Sequence, residues 1–368
     1  MTLLSLSSAL PQAPTNIFGR DAIVDDLLSL AERSASLTLF GAGGNGKTAI
    51  ALTILHHARI VAKFDKHCHF MQCDYLMNSL DDFLGRLSNT IGLHHPMDTS
   101  QLLSYLALSP CLLVLDGVDS ILDPLASGAV EIAAAIEEFG RCDNICLLAT
   151  SRMDIKIPDF RHIEVPTLPA DGARDTFYDR CHLRRSAAVD ELLADLDSHP
   201  LSIDLLAGAV CENDWGESAL LEVWNDNGTS ILKASGSQSL EDNIQSTLLT
   251  PTIRALGTTA RQTLEAIAYS SSGVQEIKLE NMFPGIAGVG EAVNALCKFS
   301  LLYRQDGFVK MLSPFRFYFR ESMQTLTMIY HPGIDPACDS TAMDIQYPLR
   351  CVPAPGLSFS FHQHFVAG

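Results

Sequence analysis

A chain of 368 residues has room for two or three domains. Its residues are 47% hydrophobic and 18% charged, against roughly 25% charged in an average soluble domain, which excludes wholesale disorder. Twenty-five Lys and Arg against 43 Asp and Glu give a net charge of −18, which disfavours a nucleic-acid partner. No apolar run is long enough to cross a bilayer, so no membrane partner is expected. Ten cysteines without a CxxC pair read as reduced core thiols. The apolar N-terminus lacks a basic region and is not a secretory signal, so the expected location is cytoplasmic.

Apolar residues at helical spacing predict a helix over 21–31, and Leu37 to Phe40 is a short buried-strand pattern. A glycine-rich stretch, 41–46, interrupts it. A helix over 49–61, a strand over 67–73 and a helix over 79–93 follow. A third strand over 111–115 ends at Asp116; next come a helix over 128–139 and a strand over 144–149 that runs into Thr150-Ser151-Arg152. Strands alternating with helices predict stacked βαβ units, a parallel sheet, and strand C-termini gathered along one rim. After Pro166 the pattern turns helical: 174–184, 187–196, 201–211 and 218–224. A stretch rich in Asn, Gly and Ser then reads as a linker. Helices over 260–269 and 290–298 precede two short strands, 301–304 and 308–312. Between them Gln305-Asp306-Gly307 is a hairpin signal, so the outline is that of a winged helix.

Gly41-Ala42-Gly43-Gly44-Asn45-Gly46-Lys47-Thr48 matches GxxxxGK[ST] between a predicted strand and a predicted helix. Glycines allow the backbone to curl so that N–H groups point at a phosphate, and Lys47 adds charge at the β and γ positions. The Thr48 hydroxyl can ligate Mg²⁺, and the helix beginning near Ala49 offers its positive dipole end. Four apolar residues ending in Asp116 fit a buried strand that delivers a carboxylate to the Mg²⁺ shell opposite Thr48. Asp119 is the nearest carboxylate that could activate water, the other reading being a solvated or helix-capping Asp. Arg152, at the end of the fourth strand, can reach a γ-phosphate, the other reading being a surface ion pair.

Together these residues resemble the STAND class of P-loop nucleotide switches, most closely the NB-ARC type, with a NACHT-like feature. The resemblance covers about 15–321. Asn16-Ile17-Phe18-Gly19-Arg20-Asp21 resembles the hhGRE motif, whose backbone and Arg lie near the adenine. The glycine loop and Asp116 resemble Walker A and Walker B, Thr150-Ser151-Arg152 the γ-phosphate sensor, and His199-Pro200-Leu201 the GxP motif, whose Pro200 would pack near the adenine. The implied fold is α/β, a P-loop NTPase parallel sheet followed by a small helical domain and a winged-helix domain. The implied boundaries are a loose tail over 1–15, the nucleotide-binding domain over 16–168, the helical domain over 169–235, a linker over 236–257 and the winged helix over 258–323. A final tail, 324–368, is expected to be disordered and to reflect a truncated chain.

The implied function is an ATP/ADP switch of the kind used in innate-immune signal transduction. The implied ligands are ATP or ADP with Mg²⁺, and the implied partners are a second copy of the chain on activation and an unidentified protein. The sequence departs from the NB-ARC pattern at three positions. Gly117 stands where that type has a second Asp; Asp116-Gly117-Val118-Asp119 is similar to the NACHT pattern, but Ser120 replaces its Glu; and Met311-Leu312-Ser313 replaces Met-His-Asp. Slow hydrolysis with Asp119 as base follows. The rival readings are a conventional fast ATPase, a permanently ADP-bound interaction fragment, and a small-molecule kinase; the kinase leaves the later segments unexplained.

Two other signals are set aside. His67, Cys68 and His69 alternate along a predicted strand and so point to opposite faces, which suits zinc poorly. The segment 287–309 carries only Lys298 and Arg304 as basic residues, too few for a DNA-binding wing.

Overall fold

The computed structural model describes residues 10–74, 77–93, 95–227, 231–232, 251–270 and 273–321. The expected disordered tail, most of the expected linker and most of the N-terminal tail lie outside the described residues. The first group of elements is α1 (Asp21–Ala31), β1 (Leu37–Phe40), α2 (Lys47–His56), α3 (Ala58–Phe64), β2 (Cys68–Gln72), α4 (Leu80–Thr90), α5 (Thr99–Leu106), β3 (Cys111–Asp116), α6 (Ala129–Gly140), β4 (Ile145–Ser151) and β5 (Arg161–Glu164). The five strands form one parallel sheet in the order β2-β3-β4-β1-β5.

Alternation along the strands supplies both faces. Leu112, Val114, Cys146 and Leu148 join Leu37 and Leu39 in a core with Leu28, Ile50, Ile54 and Phe64. Leu113, Leu115, Ile145 and Leu147 point the other way, into a core with Phe83, Leu87, Ile136 and Phe139. β3 and β4 are therefore covered on both faces, as continuous apolar strands require. At about 1.5–3 kcal/mol per large aliphatic side chain removed from water, these two strands anchor the layer.

Three local differences from the sequence reading have physical causes. The single helix expected over 49–61 breaks at His57, whose ψ of 138° is extended and whose ring accepts from the Arg59 N–H as the cap of α3. β5 escapes detection because Arg-His-Ile-Glu at the sheet edge is half exposed and carries no apolar run. α5 begins with a capping box, in which Asp98 accepts from Gln101 N–H while the Gln101 side chain accepts from the Asp98 N–H.

A second group is all helical: α7 (Ala170–Arg180), α8 (Ala187–Asp195), α9 (Pro200–Glu212) and α10 (Glu217–Asn227). The third comprises α11 (Pro251–Ala255), α12 (Thr258–Ala268), β6 (Val274–Gln275), α13 (Leu279–Met282), α14 (Val289–Lys298), β7 (Tyr303–Gln305), β8 (Phe308–Lys310) and α15 (Ser313–Glu321). The hairpin turn has Asp306 at φ 52° and Gly307 at φ 79°, the left-handed pair that a tight two-residue turn requires. β6 adds a third antiparallel strand beside β8, too short to leave a sequence pattern. Buried residues from Phe177 through Phe315 to Phe319 form one continuous apolar cluster across the second and third groups.

α11 falls inside the stretch expected to be a linker, and Ile253 on it is buried. Asp123, with no exposed surface, receives this helix: its carboxylate accepts from Thr252 N–H at 3.0 Å, Thr252 Oγ1 at 2.6 Å and Leu125 N–H at 2.9 Å. Asp123→Asn replaces one acceptor oxygen with a donor facing an N–H. The expected loss is about 2 kcal/mol of unfolding free energy in urea titration, a hydrogen bond to a charged acceptor contributing roughly 1.5–3 kcal/mol. An unchanged midpoint would show that α11 docks without it.

Candidate functional site

The rim of the sheet is built by register. β4 lies between β1 and β3, so one strand separates the glycine loop from Asp116. Thr150 on that intervening strand fills the gap: its Oγ1 donates to Asp116 Oδ1 at 2.6 Å and accepts from the Gly117 N–H at 2.9 Å. Thr48 Oγ1, from the first turn of α2, donates to the same Asp116 oxygen at 2.8 Å. Gly117 has φ 81°, a left-handed turn that glycine adopts without strain.

The loop itself curls through Gly41, Gly44 and Gly46, at φ 145°, 83° and 87°. A Cβ at Gly41 would lie 2.6 Å from the Val165 carbonyl oxygen. Gly46 caps α2 with no side-chain bond, so the first amides of that helix face outward without an intrahelical acceptor. Lys47 is buried and its Nζ donates to the Gly41 and Ala42 carbonyls, both at 2.8 Å. Burial pushes its ammonium down to about 8, against the pull of Asp119 and Asp116. Arg20 is also buried and donates to the carbonyls of Asn45 at 3.0 Å and Pro166 at 2.7 Å. The Asn45 side-chain N–H donates to Val165 O at 2.8 Å.

A cleft of about 680 Å³ opens over these groups. Phe18, Arg20, Gly43, Gly44, Asn45, Gly46, Lys47, Thr48, Ala49, Asp116, Asp119, Arg152 and Pro200 all line it. Gly41, Ala42 and Gly19 do not. Gly41 and Ala42 face a second cavity, of about 830 Å³, behind the loop. Gly19, at φ 65°, packs against α7, where an added Cβ would stand 3.0 Å from Gly172 Cα. Leu312, compared above with the histidine of the NB-ARC Met-His-Asp motif, lines the second cavity, and Ser313 N–H donates to the Asp197 carboxylate.

Asp119 and Arg152, read from sequence as separate groups, are partners. Arg152 donates from its N–H to Asp119 Oδ1 at 2.9 Å and from Nε to Oδ2 at 2.6 Å, and Asp119 is 1% exposed. Both carboxylate oxygens are engaged by Arg152, which competes with any proton transfer from water to Asp119. Two residues outside the sequence-derived set also shape the site. Thr150 lay within the sensor motif, but its bond to Asp116 depends on strand order. His199, directly before Pro200, is the other: its Nε2 meets Gly43 O and its Nδ1 the Ser202 hydroxyl, each at 2.8 Å.

Thr48 and Asp116 offer hard oxygen donors 2.8 Å apart. Adjacent oxygens in an octahedral Mg²⁺ shell, at roughly 2.0–2.1 Å from the ion, stand about 3 Å apart, so the pair fits that cation. Among the described residues no group of three or more His, Cys, Asp or Glu is placed to hold a metal ion. No described helix is long and apolar enough to span a membrane.

No protein-family model matches the chain. No curated protein sequence matches it either. Among solved structures it is similar to a Walker-type ATPase of Pyrococcus abyssi, with 12% identity over 84% of this chain and 98% of that one at a TM-score of 0.58. It also matches a STAND protein with a tetratricopeptide-repeat sensor from Pyrococcus horikoshii, with 12% identity, 86% of this chain, 43% of that one and a TM-score of 0.36. Aeropyrum pernix ORC1 in complex with DNA gives 12%, 84%, 94% and 0.42. Of these three the first speaks to the fold, and at that identity to the fold alone. Its agreement with the parallel sheet, the glycine loop and the strand-end Asp116 makes the fold that of a P-loop NTPase.

Burial pushes the His199 imidazole down to about 4, and the Gly43 bond offsets this only in part. Its ordinary value is 6.5, so above that pH neither folded nor unfolded chain carries the proton and stability is undiminished. As pH falls from 6.5 towards 4 the unfolded chain takes up a proton that the folded one refuses, and stability drops by as much as about 3 kcal/mol. Urea titrations at pH 7 and pH 4.5 should show a smaller loss in His199→Gln than in the wild type. Equal losses would mean that water reaches the ring.

Proposed function

We propose that the chain binds ATP and ADP with Mg²⁺ and works as a STAND-type switch that hydrolyses ATP slowly. The observation that carries this reading is the convergence of Thr48 and Thr150 on Asp116, beside a glycine loop whose following helix presents uncapped amides. Lys47 would exchange the Gly41 and Ala42 carbonyls for phosphate oxygens. Thr48 and Asp116 would hold Mg²⁺, which neutralises charge on the β and γ oxygens. Phe18 and Pro200, which both line the cleft, would offer apolar surface to a base.

Slow turnover follows from the Asp119–Arg152 pair. Arg152 would have to leave Asp119 to meet a γ-phosphate, and that same movement frees the carboxylate to accept a proton from water. The Arg152 main-chain carbonyl also accepts from Ser300 Oγ at 2.6 Å, so the loop between α14 and β7 is tied to the residue that would sense the phosphate. This supports a rearrangement of the C-terminal elements, here taken as a winged-helix unit, between the ATP and ADP states. A surface freed by that rearrangement would be available to a second copy of the chain.

Denaturing the purified protein and identifying released nucleotide by ion-exchange chromatography tests the resting state; near-stoichiometric ADP is expected. Lys47→Ala should weaken ADP binding by at least about a hundredfold in equilibrium dialysis, two charge-assisted contacts of roughly 1.5–3 kcal/mol each being lost. An unchanged affinity would remove the site. Asp119→Asn should lower ATP turnover by about a hundredfold or more, the usual contribution of a general base, while ADP affinity moves far less. Turnover that survives this change would put the base elsewhere.

A further inference from the structure

His199 has no exposed surface, and nothing in the proposed nucleotide chemistry uses it. Its ring touches three separate stretches of chain. The Gly43 carbonyl can only accept, so Nε2 carries the proton, and Nδ1 accepts from the Ser202 hydroxyl on α9. Against Gly44 the fit is closer still: a Cβ there would stand 2.5 Å from the His199 Cε1 and 2.8 Å from Nε2. Beside this contact, the Leu201 N–H donates to the Gly44 carbonyl at 3.2 Å. Another part of the ring meets Phe315 of α15 edge to face, with centroids 5.5 Å apart at 71°. Phe315 is 1% exposed, and two residues before His199 the Asp197 carboxylate accepts from the first N–H of α15.

We propose that His199 is a positioning residue that couples the shape of the phosphate loop to the seating of α15. The proposal rests on the nucleotide-site reading for its purpose, though not for its geometry. The Gly43 carbonyl and the Gly44 amide belong to one peptide plane, so turning that amide towards or away from a phosphate also turns the carbonyl held by Nε2. Gly44 blocks the ring on one side and Ser202 fixes the other nitrogen. The remaining freedom is a tilt against Phe315. The loop therefore reports its state to α15 through one imidazole, and α15 in return limits the shapes the loop can take.

Hydrogen exchange of the α15 amides, read by mass spectrometry on the full chain without added nucleotide, tests the coupling directly. Gly44→Ala drives a methyl into the ring and should speed α15 exchange about tenfold, the effect of losing one modest contact. His199→Ala alone should speed it to a similar degree. In the double variant the Gly44 change should add much less than it does alone, because the ring that transmits it is gone and only the backbone strain at φ 83° and the Leu201 Cβ at 2.9 Å remain. Independent, multiplying effects would overturn the proposal, and so would an α15 that ignores Gly44→Ala. Unchanged exchange across β3 in each variant shows that the fold is intact.

Adding ADP gives a second arm. At a concentration that saturates each protein, it should slow α15 exchange in the wild type but not in His199→Ala. His199→Gln, which keeps an N–H towards Gly43 but no aromatic edge, should at saturating ADP still fail to protect α15. Protection of α15 by ADP in all three proteins would overturn the coupling. A wild type that binds no ADP would sink the nucleotide reading instead, while the nucleotide-free cycle still decides the role of His199.

Discussion

A loop that turns its amides inward towards an anion must turn its carbonyls outward, and buried carbonyls need donors. Here each carbonyl from Gly41 to Gly46 has one. Lys47 Nζ serves Gly41 and Ala42, His199 Nε2 serves Gly43, the Leu201 N–H serves Gly44, Arg20 serves Asn45, and the Ile50 N–H serves Gly46. Only the first and last of these donors belong to the loop and its own helix. The rest come from the segment before α1 and from the start of α9, nearly 180 residues apart in sequence. The phosphate loop is thus held in shape by the units around it, and its conformation cannot change without disturbing them. Unmade, each such bond would cost about 1–3 kcal/mol, a large share of a domain's net stability.

The same accounting separates the two carboxylates that follow β3. Asp116 closes a strand at the rim, with one oxygen shared by two threonine hydroxyls, and it faces the cleft. Asp119 sits one turn later in a single 3₁₀ turn, buried, with its charge met by Arg152. Removing one member of a buried ion pair costs roughly 3–5 kcal/mol because the other is left unpaired. A phosphate that attracts Arg152 must therefore offer at least comparable compensation. Were the chain to hydrolyse ATP as proposed, that requirement would slow turnover, independently of Ser120 standing where the NACHT pattern has a glutamate.

Much of this was legible in the sequence because the relevant signals are local. The boundaries of α1 and β1 follow from apolar spacing and the glycines that end it, and the loop, Asp116 and Arg152 from residue types at fixed positions relative to strands. What was not legible depends on partners distant in sequence. β5 and β6 exist because β1 and β8 offer them an edge, and neither carries a pattern of its own. The pairing of Asp119 with Arg152 needs β3 and β4 to be neighbours, and the role of Thr150 needs β4 to lie between β3 and β1. Asp123 is the intermediate case. An acid inside Ile121-Leu122-Asp123-Pro124-Leu125 invites the reading of a buried, partnered carboxylate, but the partner, Thr252, lies 129 residues away.

Among the described residues, three polar clasps tie the C-terminal elements to the rest, beside the apolar cluster shared with α7 to α10: Asp123 with Thr252, Asp197 with Ser313, and Ser300 with the Arg152 carbonyl. Each is one or two hydrogen bonds, worth about 1–3 kcal/mol apiece. Bonds of that size can be reversed by a ligand, because a ligand shifts an equilibrium only by the difference in its affinity for the two states. Moving a population from one part in a hundred to ninety-nine needs about 5.5 kcal/mol of such difference, comparable to two or three clasps and far below the cost of opening an apolar core. The third clasp is made by the residue that a γ-phosphate would attract, and the second lies beside the histidine that holds the loop. The chain thus places its most easily broken contacts next to the groups that an anion in the cleft would disturb first.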